Sequence, residues 1–207
     1  MKKIFLLFLT VLYFCAFISK AMGQTVNYGN IGHNGAPVTA SLYQTDSTLT
    51  ITGTGNMADF LSSTEWDGQS PWKQQGHCSK IRTVIINNGV MNIGDVAFQD
   101  CNNLKWISIP EGVTIIGVKA FENCTSLQVI YIPSSVNSIE NQAFINCSNL
   151  KVIGNMATAP QNINSTVFQN VPLSGKYLAV PVQSVEIYQS ANIWGSSFNV
   201  TGLFLRL

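Results

Sequence analysis

The stretch from Leu104 to Leu127 reads LKWISIPEGVTIIGVKAFENCTSL, and its pattern returns on both sides. The pairs Ala97-Phe98, Ala120-Phe121 and Ala143-Phe144 recur with a constant 23-residue period. A fixed period of this length is typical of repeat proteins, in which each small unit must stack on its neighbours to bury its apolar side. The sequence therefore predicts an array of stacked units.

Each unit begins with an alternating apolar pattern, as in Leu104, Ile107 and Ile109, which predicts a strand with one buried side. Pro110 then favours a strand end, because proline donates no ladder hydrogen bond. Val113 and Ile116 follow as a second inward-facing pair, and we predict a turn and a short helix after them. Stacking places equivalent side chains in structural ladders: Phe98, Phe121 and Phe144; Cys101, Cys124 and Cys147; Leu104, Leu127 and Leu150.

The same alternation predicts which strand residues face away from the core. In three successive units these positions are Thr83 and Ile85, Trp106 and Ser108, and Val129 and Tyr131, here called the outer row. A contiguous apolar and aromatic strip on a surface indicates a contact site, and Trp and Tyr often dominate binding interfaces. We therefore predict a binding surface with Trp106 and Tyr131 as anchors. The alternative is that a loop, a flanking segment or an oligomer neighbour covers the strip.

The N-terminal segment from Met1 to Gly23 has the charged, apolar and small-residue regions of a secretory signal peptide. The apolar run from Ile4 to Ile18 is short for a membrane span, which makes a signal anchor the weaker alternative. Lipid attachment at Cys15 is disfavoured because Phe14 precedes it. Removal of this segment leaves 8 basic and 10 acidic residues and a net charge of about −2. The basic residues are scattered along the sequence, so we expect no nucleic-acid partner.

We divide the chain into a signal peptide (1–23), a β-rich N-terminal cap (24–80), a repeat array (81–173) and an irregular C-terminal cap (174–207). The array has three regular units and one degenerate unit, in which Phe168 is one residue out of step. Caps are expected because a solenoid must cover its terminal apolar faces. No second apolar segment of membrane length follows Gly23, so we expect no transmembrane segment after signal cleavage.

The repeat from Leu104 to Leu127 resembles the BspA-type leucine-rich repeat of bacterial surface proteins. The resemblance extends to Leu49–Met57 and Ser70–Trp72 before the repeats, and to Tyr177–Pro181 and Tyr188–Phe198 after them. It implies a β-rich leucine-rich repeat solenoid, and a secreted or surface-exposed, non-enzymatic binding or adhesion protein. The small number of repeats is a departure from the long adhesive arrays of the family.

Four cysteines remain after signal cleavage, and Cys78, Cys101, Cys124 and Cys147 are each one repeat period apart. They occupy the same place in successive units, about 4.8 Å apart along the stack. Their Cβ vectors would then run parallel, whereas a disulfide needs converging Cβ atoms. We expect buried free thiols rather than bridges, with Cys78 the one that differs most.

The remaining polar clusters do not predict chemistry. His77-Cys78 and His33 lack the ligand cluster of a zinc site and the full set of groups of a catalytic dyad. Asp59, Glu65 and Asp67 lack the ligand spacing of a calcium loop, and a solvated loop is the simpler interpretation. We therefore expect no catalytic residues, no metal and no cofactor.

We predict an exported, non-enzymatic binding or adhesion module that recognises a protein or a glycan through the outer row. We expect it to be secreted, on the cell surface or in the periplasm. The alternative is a structural or self-associating module of a surface assembly. An exported hydrolase is the third hypothesis.

Overall fold

We describe a computed structural model of the chain, in which residues 24–61 and 67–203 are described. The predicted signal peptide and Cys15 lie outside these residues, as does Glu65 of the acidic cluster. The described residues form three sheets, built mainly from short strands, with a few short helices.

The first sheet has the order β1-β2-β3-β4-β6. Its first three strands are antiparallel neighbours, and β4 and β6 then join them in parallel. Its strands are β1 (Thr25–Asn30), β2 (Val38–Tyr43), β3 (Thr48–Gly53), β4 (Thr83–Ile86) and β6 (Trp106–Ser108).

The second sheet is parallel throughout and has the order β12-β11-β10-β8. Strand β8 contacts β6, so the second sheet continues the first along the chain. Its strands are β8 (Val129–Ile132), β10 (Val152–Asn155), β11 (Tyr177–Pro181) and β12 (Asn199–Leu203).

The third sheet is a parallel ladder of two-residue strands in the order β5-β7-β9. These are β5 (Asn92–Ile93), β7 (Ile115–Ile116) and β9 (Ser138–Ile139). Ile93, Ile116 and Ile139 are buried, so this sheet covers a second side of the same core.

Among the described residues, the helices lie outside the three regular repeat units. They are α1 (Pro71–Gln74), α2 (Val185–Ser190) and α3 (Asn192–Ser197). Three further turns are 3-10 helical, His33–Gly35, Cys78–Lys80 and Val182–Ser184. The boundaries of the two predicted caps stay predictions.

The prediction of a short helix in each unit is wrong. The Ala-Phe segments are consecutive turns, and each contains residues with left-handed backbone, such as Lys119 (φ 55°) and Asn123 (φ 60°). Alternate backbone N–H groups of each turn bond between units: Phe98 N–H donates to the carbonyl of Ala120 at 2.7 Å, and Phe121 N–H to that of Ala143 at 2.8 Å. A helix would use these donors internally, so the turns exchange helical bonds for bonds to the next unit.

Glycine allows close approach between units at Gly117. A Cβ atom there would lie 2.7 Å from the backbone nitrogen of Asp95, which real side chains do not tolerate. The backbone N–H of the next residue, Val118, donates to the Asp95 carboxylate at 2.7 Å. The glycine therefore lets one turn sit directly on the one before it.

Candidate functional site

The outer row lies on the side of the strands that faces away from the core. Burial alternates along β4 and β6, where Val84 and Ile107 are buried while the residues on either side of each are half-buried. Between these strands, register pairs Thr83 with Trp106 and Ile85 with Ser108. The parts of the outer row on β4 and β6 are therefore neighbours in space.

The surface continues across β8, β10 and β11. Val129 pairs with Val152, which pairs in turn with Tyr177, and Tyr131 pairs with Gly154. We call the outer row together with Val152, Gly154 and Tyr177 the outer surface. Sequence reasoning missed its last three members because they lie beyond the regular units, although Val152 keeps the repeat spacing from Val129.

Two tyrosines are the most exposed side chains of the outer surface. Tyr131 is 49% exposed and Tyr177 is 55% exposed, whereas Trp106 is half-buried. Large apolar groups held at this exposure are available to a partner and lose water on contact. Of the two predicted anchors, Tyr131 is thus the more open one.

The ring of Tyr131 lies against Gly154 on the neighbouring strand. A Cβ atom at position 154 would lie 2.7 Å from Cε1 of this ring and closer still to Cδ1, so any side chain there would displace the tyrosine. Gly154 is itself buried beneath the ring. The absence of a side chain at Gly154 therefore leaves the space that the Tyr131 ring occupies.

Under the outer surface, the phenylalanines form one aromatic column. The ring centroids of Phe98 and Phe121 are 5.3 Å apart, and those of Phe121 and Phe144 are 5.2 Å apart with nearly parallel planes. Phe168 extends the column, 5.4 Å from Phe144, despite its one-residue offset in the sequence. Leu104, Leu127 and Leu150 are buried in the same core.

Cys78, Cys101, Cys124 and Cys147 are free thiols, buried in successive units. Cys124 Sγ donates a hydrogen bond to the carbonyl of Phe98 at 3.2 Å, and Cys147 Sγ to that of Phe121 at 3.1 Å. Burial raises the pKa of the Cys101 and Cys124 thiols well above the usual value, and raises that of Cys147 to about 12. Thiols held neutral in this way satisfy backbone carbonyls and are poor nucleophiles.

A row of polar side chains, which sequence analysis missed, runs along the turns, one residue before Cys101, Cys124, Cys147 and Val171. Asn123 Nδ2 donates to Asp100 Oδ1 at 2.6 Å, Asn146 Nδ2 to Asn123 Oδ1 at 2.7 Å, and Asn170 Nδ2 to Asn146 Oδ1 at 2.9 Å. All four residues have left-handed backbone, which Asn and Asp adopt more readily than most residues. We call this row the amide ladder.

Lys73 ends the amide ladder, with its Nζ 2.7 Å from Asp100 Oδ2. Partial burial would raise the pKa of the Asp100 carboxyl, but the bonds from Lys73 and Asn123 outweigh it and lower that pKa. The carboxylate is therefore ionised and accepts hydrogen bonds from both sides. The ladder is a structural element of the turns, on a different side of each unit from the outer surface.

His77 and Cys78, two of the other polar candidates, contact neighbouring parts of the fold. His77 Nδ1 lies 2.8 Å from the Tyr28 hydroxyl, and burial lowers the pKa of this histidine. Cys78 Sγ lies 3.6 Å from the Gln99 carbonyl. Within residues 24–61 and 67–203, His, Cys, Asp and Glu form no group of three that could hold a metal ion. Over the same residues, no helix is long and apolar enough to cross a membrane.

Short parallel strands in register with the next unit, joined by turns over a shared apolar core, define a leucine-rich repeat fold. The family described as "BspA type Leucine rich repeat region" matches residues 75–194 in 6 copies. The chain therefore belongs to the BspA-type leucine-rich repeat family, which confirms the resemblance seen in the repeat from Leu104 to Leu127. No curated protein sequence matches the chain.

Solved structures of bacterial leucine-rich repeat proteins are also similar. The protein from T. pallidum is 25% identical, with a TM-score of 0.48, over 69% of this chain and 68% of its own. The protein from Eubacterium ventriosum is 20% identical with a TM-score of 0.35, and the one from Bacteroides ovatus 24% identical with a TM-score of 0.41. These two matches cover 79% and 61% of this chain, but only 55% and 31% of those proteins. The family assignment rests on the repeat match.

Proposed function

We propose that this chain is an exported, non-enzymatic binding module that recognises a protein or a glycan through the outer surface. The observation that carries the proposal is the contiguity of this surface: register places Val129, Val152 and Tyr177 side by side, with Tyr131 held against Gly154 next to them. Contiguous apolar surfaces that carry exposed aromatic side chains, here Tyr131 and Tyr177, are typical of interaction sites. Export and surface location are part of the proposal and agree with the family resemblance.

The proposed architecture behind this site is a solenoid of stacked 23-residue coils, closed by an N-terminal and a C-terminal cap. Support comes from the register, because Val84 pairs with Ile107 and Ile116 with Ile139, each one repeat period further along the chain. A solenoid keeps equivalent side chains in line, so a binding surface can run across several coils. Fixed backbone neighbours also mean that the anchors are ordered before a ligand arrives.

The experiment is a binding screen of the chain from Gln24 against an array of glycans and proteins. The test variant is Trp106→Ala, Tyr131→Ala. Its matched control is Met91→Ala, Ile115→Ala, which removes side chains that are 50% and 39% exposed on or beside the third sheet. Circular dichroism spectra must show unchanged folding for both variants.

Loss of the two anchors should weaken binding by more than about 30-fold, because a single interface hot spot already contributes about 2 kcal/mol and the losses of two hot spots are not additive. The control should bind as the parent does. Equal binding by the test variant and the parent would contradict the site. Concentration-dependent sedimentation, abolished by the same variant in the absence of any ligand, would favour the self-associating alternative.

A further inference from the structure

Four basic residues that look scattered in the sequence form a column at the entrance of the strands. Each of Arg82, Lys105, Lys151 and Lys176 precedes the first outward residue of a strand by one position. Lys105 N–H donates to the carbonyl of Arg82, and Tyr177 N–H to that of Lys151. The expectation of dispersed basic residues is therefore wrong for these four, here called the basic column.

The basic column has one further position, in its middle, which is occupied by the neutral residue Gln128. Its carbonyl accepts from the backbone N–H of Lys151 at 2.8 Å, which places it between Lys105 and Lys151 in the stack. Neighbouring strands lie about 4.8 Å apart. The column thus has one position on each successive strand, and one of its members is neutral.

The charges of the basic column are accessible. Arg82, Lys105 and Lys151 are exposed and Lys176 is half-buried. Two salt bridges join described residues, and both use other lysines, Lys73 and Lys119. Asp46 adjoins the Arg82 end of the column, since the Ser47 carbonyl accepts from Arg82 N–H. The lysine part of the column is therefore the part that a ligand charge can reach most directly.

Acidic side chains of the repeats are bonded elsewhere. Both carboxylate oxygens of Glu111 accept backbone N–H groups, from Ser134 and Ser135, at 3.1 Å each. Asp100 is paired with Lys73 and Glu122 with Lys119. These three carboxylates are thus bonded within the turns and do not pair with the basic column, which lies at the start of the strands.

The basic column lies one residue before the outer surface on each of these strands, and two of its lysines directly precede aromatic residues. Lys105 is followed by Trp106, and Lys176 by Tyr177. Hydroxyl groups of Thr83 and Ser108 lie in the same outer row. A pyranose ring presents an apolar C–H face and a polar rim, so it packs on an aromatic ring while its hydroxyls and acidic groups bond to neighbours. Aromatic, hydroxyl and cationic groups in parallel lines suit a linear chain of such rings.

We propose that the ligand of the outer surface is a linear acidic polysaccharide whose carboxylate or sulfate groups pair with the basic column. The inference rests on the proposed function, because it names the ligand class of that same surface. A chain of sugars crossing the strands meets one column position at each strand, whereas an acidic protein patch has no comparable linear repeat. A nucleic acid is the other linear polyanion that could meet the basic column, so stronger binding to oligothymidylate is an outcome of the test that would overturn the proposal.

The test measures binding of the chain from Gln24 to four immobilised polymers. They are heparin, which is sulfated, polygalacturonate, which carries carboxylates alone, dextran, which is neutral, and oligothymidylate. We expect binding to heparin or polygalacturonate that weakens with added salt, because exposed charge pairs are screened. The ratio of the affinity for heparin to the affinity for polygalacturonate distinguishes a sulfated ligand from one that carries carboxylates alone.

Two variants test the basic column itself. Lys105→Gln, Lys151→Gln, Lys176→Gln uses the side chain already present at Gln128, so the fold tolerates it at an equivalent position. From the contribution of exposed ion pairs, we expect this triple variant to bind the acidic polymer at least about 10-fold more weakly than the parent. The second variant, Gln128→Lys, adds a charge to the column and should bind the same polymer about 2- to 5-fold more tightly. Lys80→Gln, at an exposed residue outside the column, is the control and should leave affinity unchanged.

The outcomes separate this inference from the proposed function. Binding to dextran or to a protein that is lost in Trp106→Ala, Tyr131→Ala but unchanged in the lysine variant would overturn the acidic ligand and keep the binding surface. Stronger binding to oligothymidylate than to either acidic glycan would also overturn it, as would the absence of binding to both acidic glycans. Binding to heparin that is unaffected by the aromatic substitutions would instead contradict the proposed surface.

Discussion

The middle of the aromatic column and its two ends use different packing geometries. In the middle, Phe121 and Phe144 stack with planes only 3° apart. At the C-terminal end, Trp194 and Phe198 meet Phe168 edge-on, at 73° and 80°. The repeated rings stack in parallel because successive units have the same backbone geometry. The rings at the ends lie outside the regular units and close the column with edge-on contacts.

The N-terminal end is closed in a similar way. Trp72 stacks on Phe98 with ring centroids 5.6 Å apart, and Tyr28 and Phe60 then meet Trp72 edge-on, at 77° and 79°. Edge-on contacts are a favoured aromatic geometry and fill space without needing a further parallel ring. The segments at the two ends have unrelated sequences, but both end the aromatic column with edge-on contacts. Ending the column thus requires a different ring geometry from extending it.

The largest expected effect comes from breaking the middle of the column. Phe121→Ala removes a fully buried ring that packs on both sides, and should lower the free energy of unfolding by about 3–5 kcal/mol. Urea denaturation followed by circular dichroism measures it. Ile187→Ala, at a side chain that is 47% exposed, is the control and should change stability by less than about 0.5 kcal/mol. A loss below about 1 kcal/mol for Phe121→Ala would mean that the column contributes little to stability.

A smaller effect is expected from the column ends. The indole N–H of Trp72 donates to the Ala97 carbonyl at 2.8 Å, and that of Trp194 to the Gln161 carbonyl at 2.9 Å. Trp72→Phe and Trp194→Phe keep an aromatic ring but leave a buried carbonyl without its donor, at a cost of about 1–3 kcal/mol each. The same urea assay applies. Similar losses at the two ends would sharpen the comparison, and a loss at one end alone would show that the ends are not equivalent.

The smallest effect at neutral pH concerns the thiols beside the column. Burial raises the pKa of Cys147 to about 12, so the folded chain keeps a proton that the unfolded chain releases near pH 8.5. Stability from this thiol is fully present below about pH 8.5 and should decline as the pH rises toward the folded-state value. Urea denaturation between neutral and alkaline pH measures the decline. In Cys124→Ala, Cys147→Ala the decline should be shallower, and an equal decline would assign it to other groups.

The repeated part of the fold could be predicted because its signal is local and regular. The Ala-Phe spacing indicated the column of Phe98, Phe121 and Phe144, and apolar alternation indicated the buried strand residues. The ends could not be predicted in this way, because Trp72 lies more than one repeat period before Phe98 and breaks the spacing. The helix prediction was wrong because hydrogen bonds between units compete with helical ones, and a single unit does not show this competition.

The candidate site was predictable only within the regular units. Trp106 and Tyr131 follow from alternation, but the role of Gly154 depends on strand register, which places it beside Tyr131. The sequence does carry a signal for the basic column, because Arg82, Lys105 and Lys151 follow the repeat period, but Gln128 interrupts the series and Lys176 is out of step with it. Charge that is spread thinly along a repeat sequence becomes concentrated when the units stack.

The amide ladder gives the array a direction. An ionised carboxylate can only accept, so Asp100 obliges Asn123 to present its NH2 group backward and its oxygen forward, and Asn146 and Asn170 must then do the same. Each asparagine donates from its NH2 group to the preceding member of the ladder and accepts at its oxygen from the following member, so all the amides have the same orientation. If a duplicated unit were inserted between Asn123 and Asn146, its asparagine would donate to Asn123 Oδ1 and accept from Asn146 Nδ2. The amide ladder is therefore compatible with a longer array that keeps both ends unchanged.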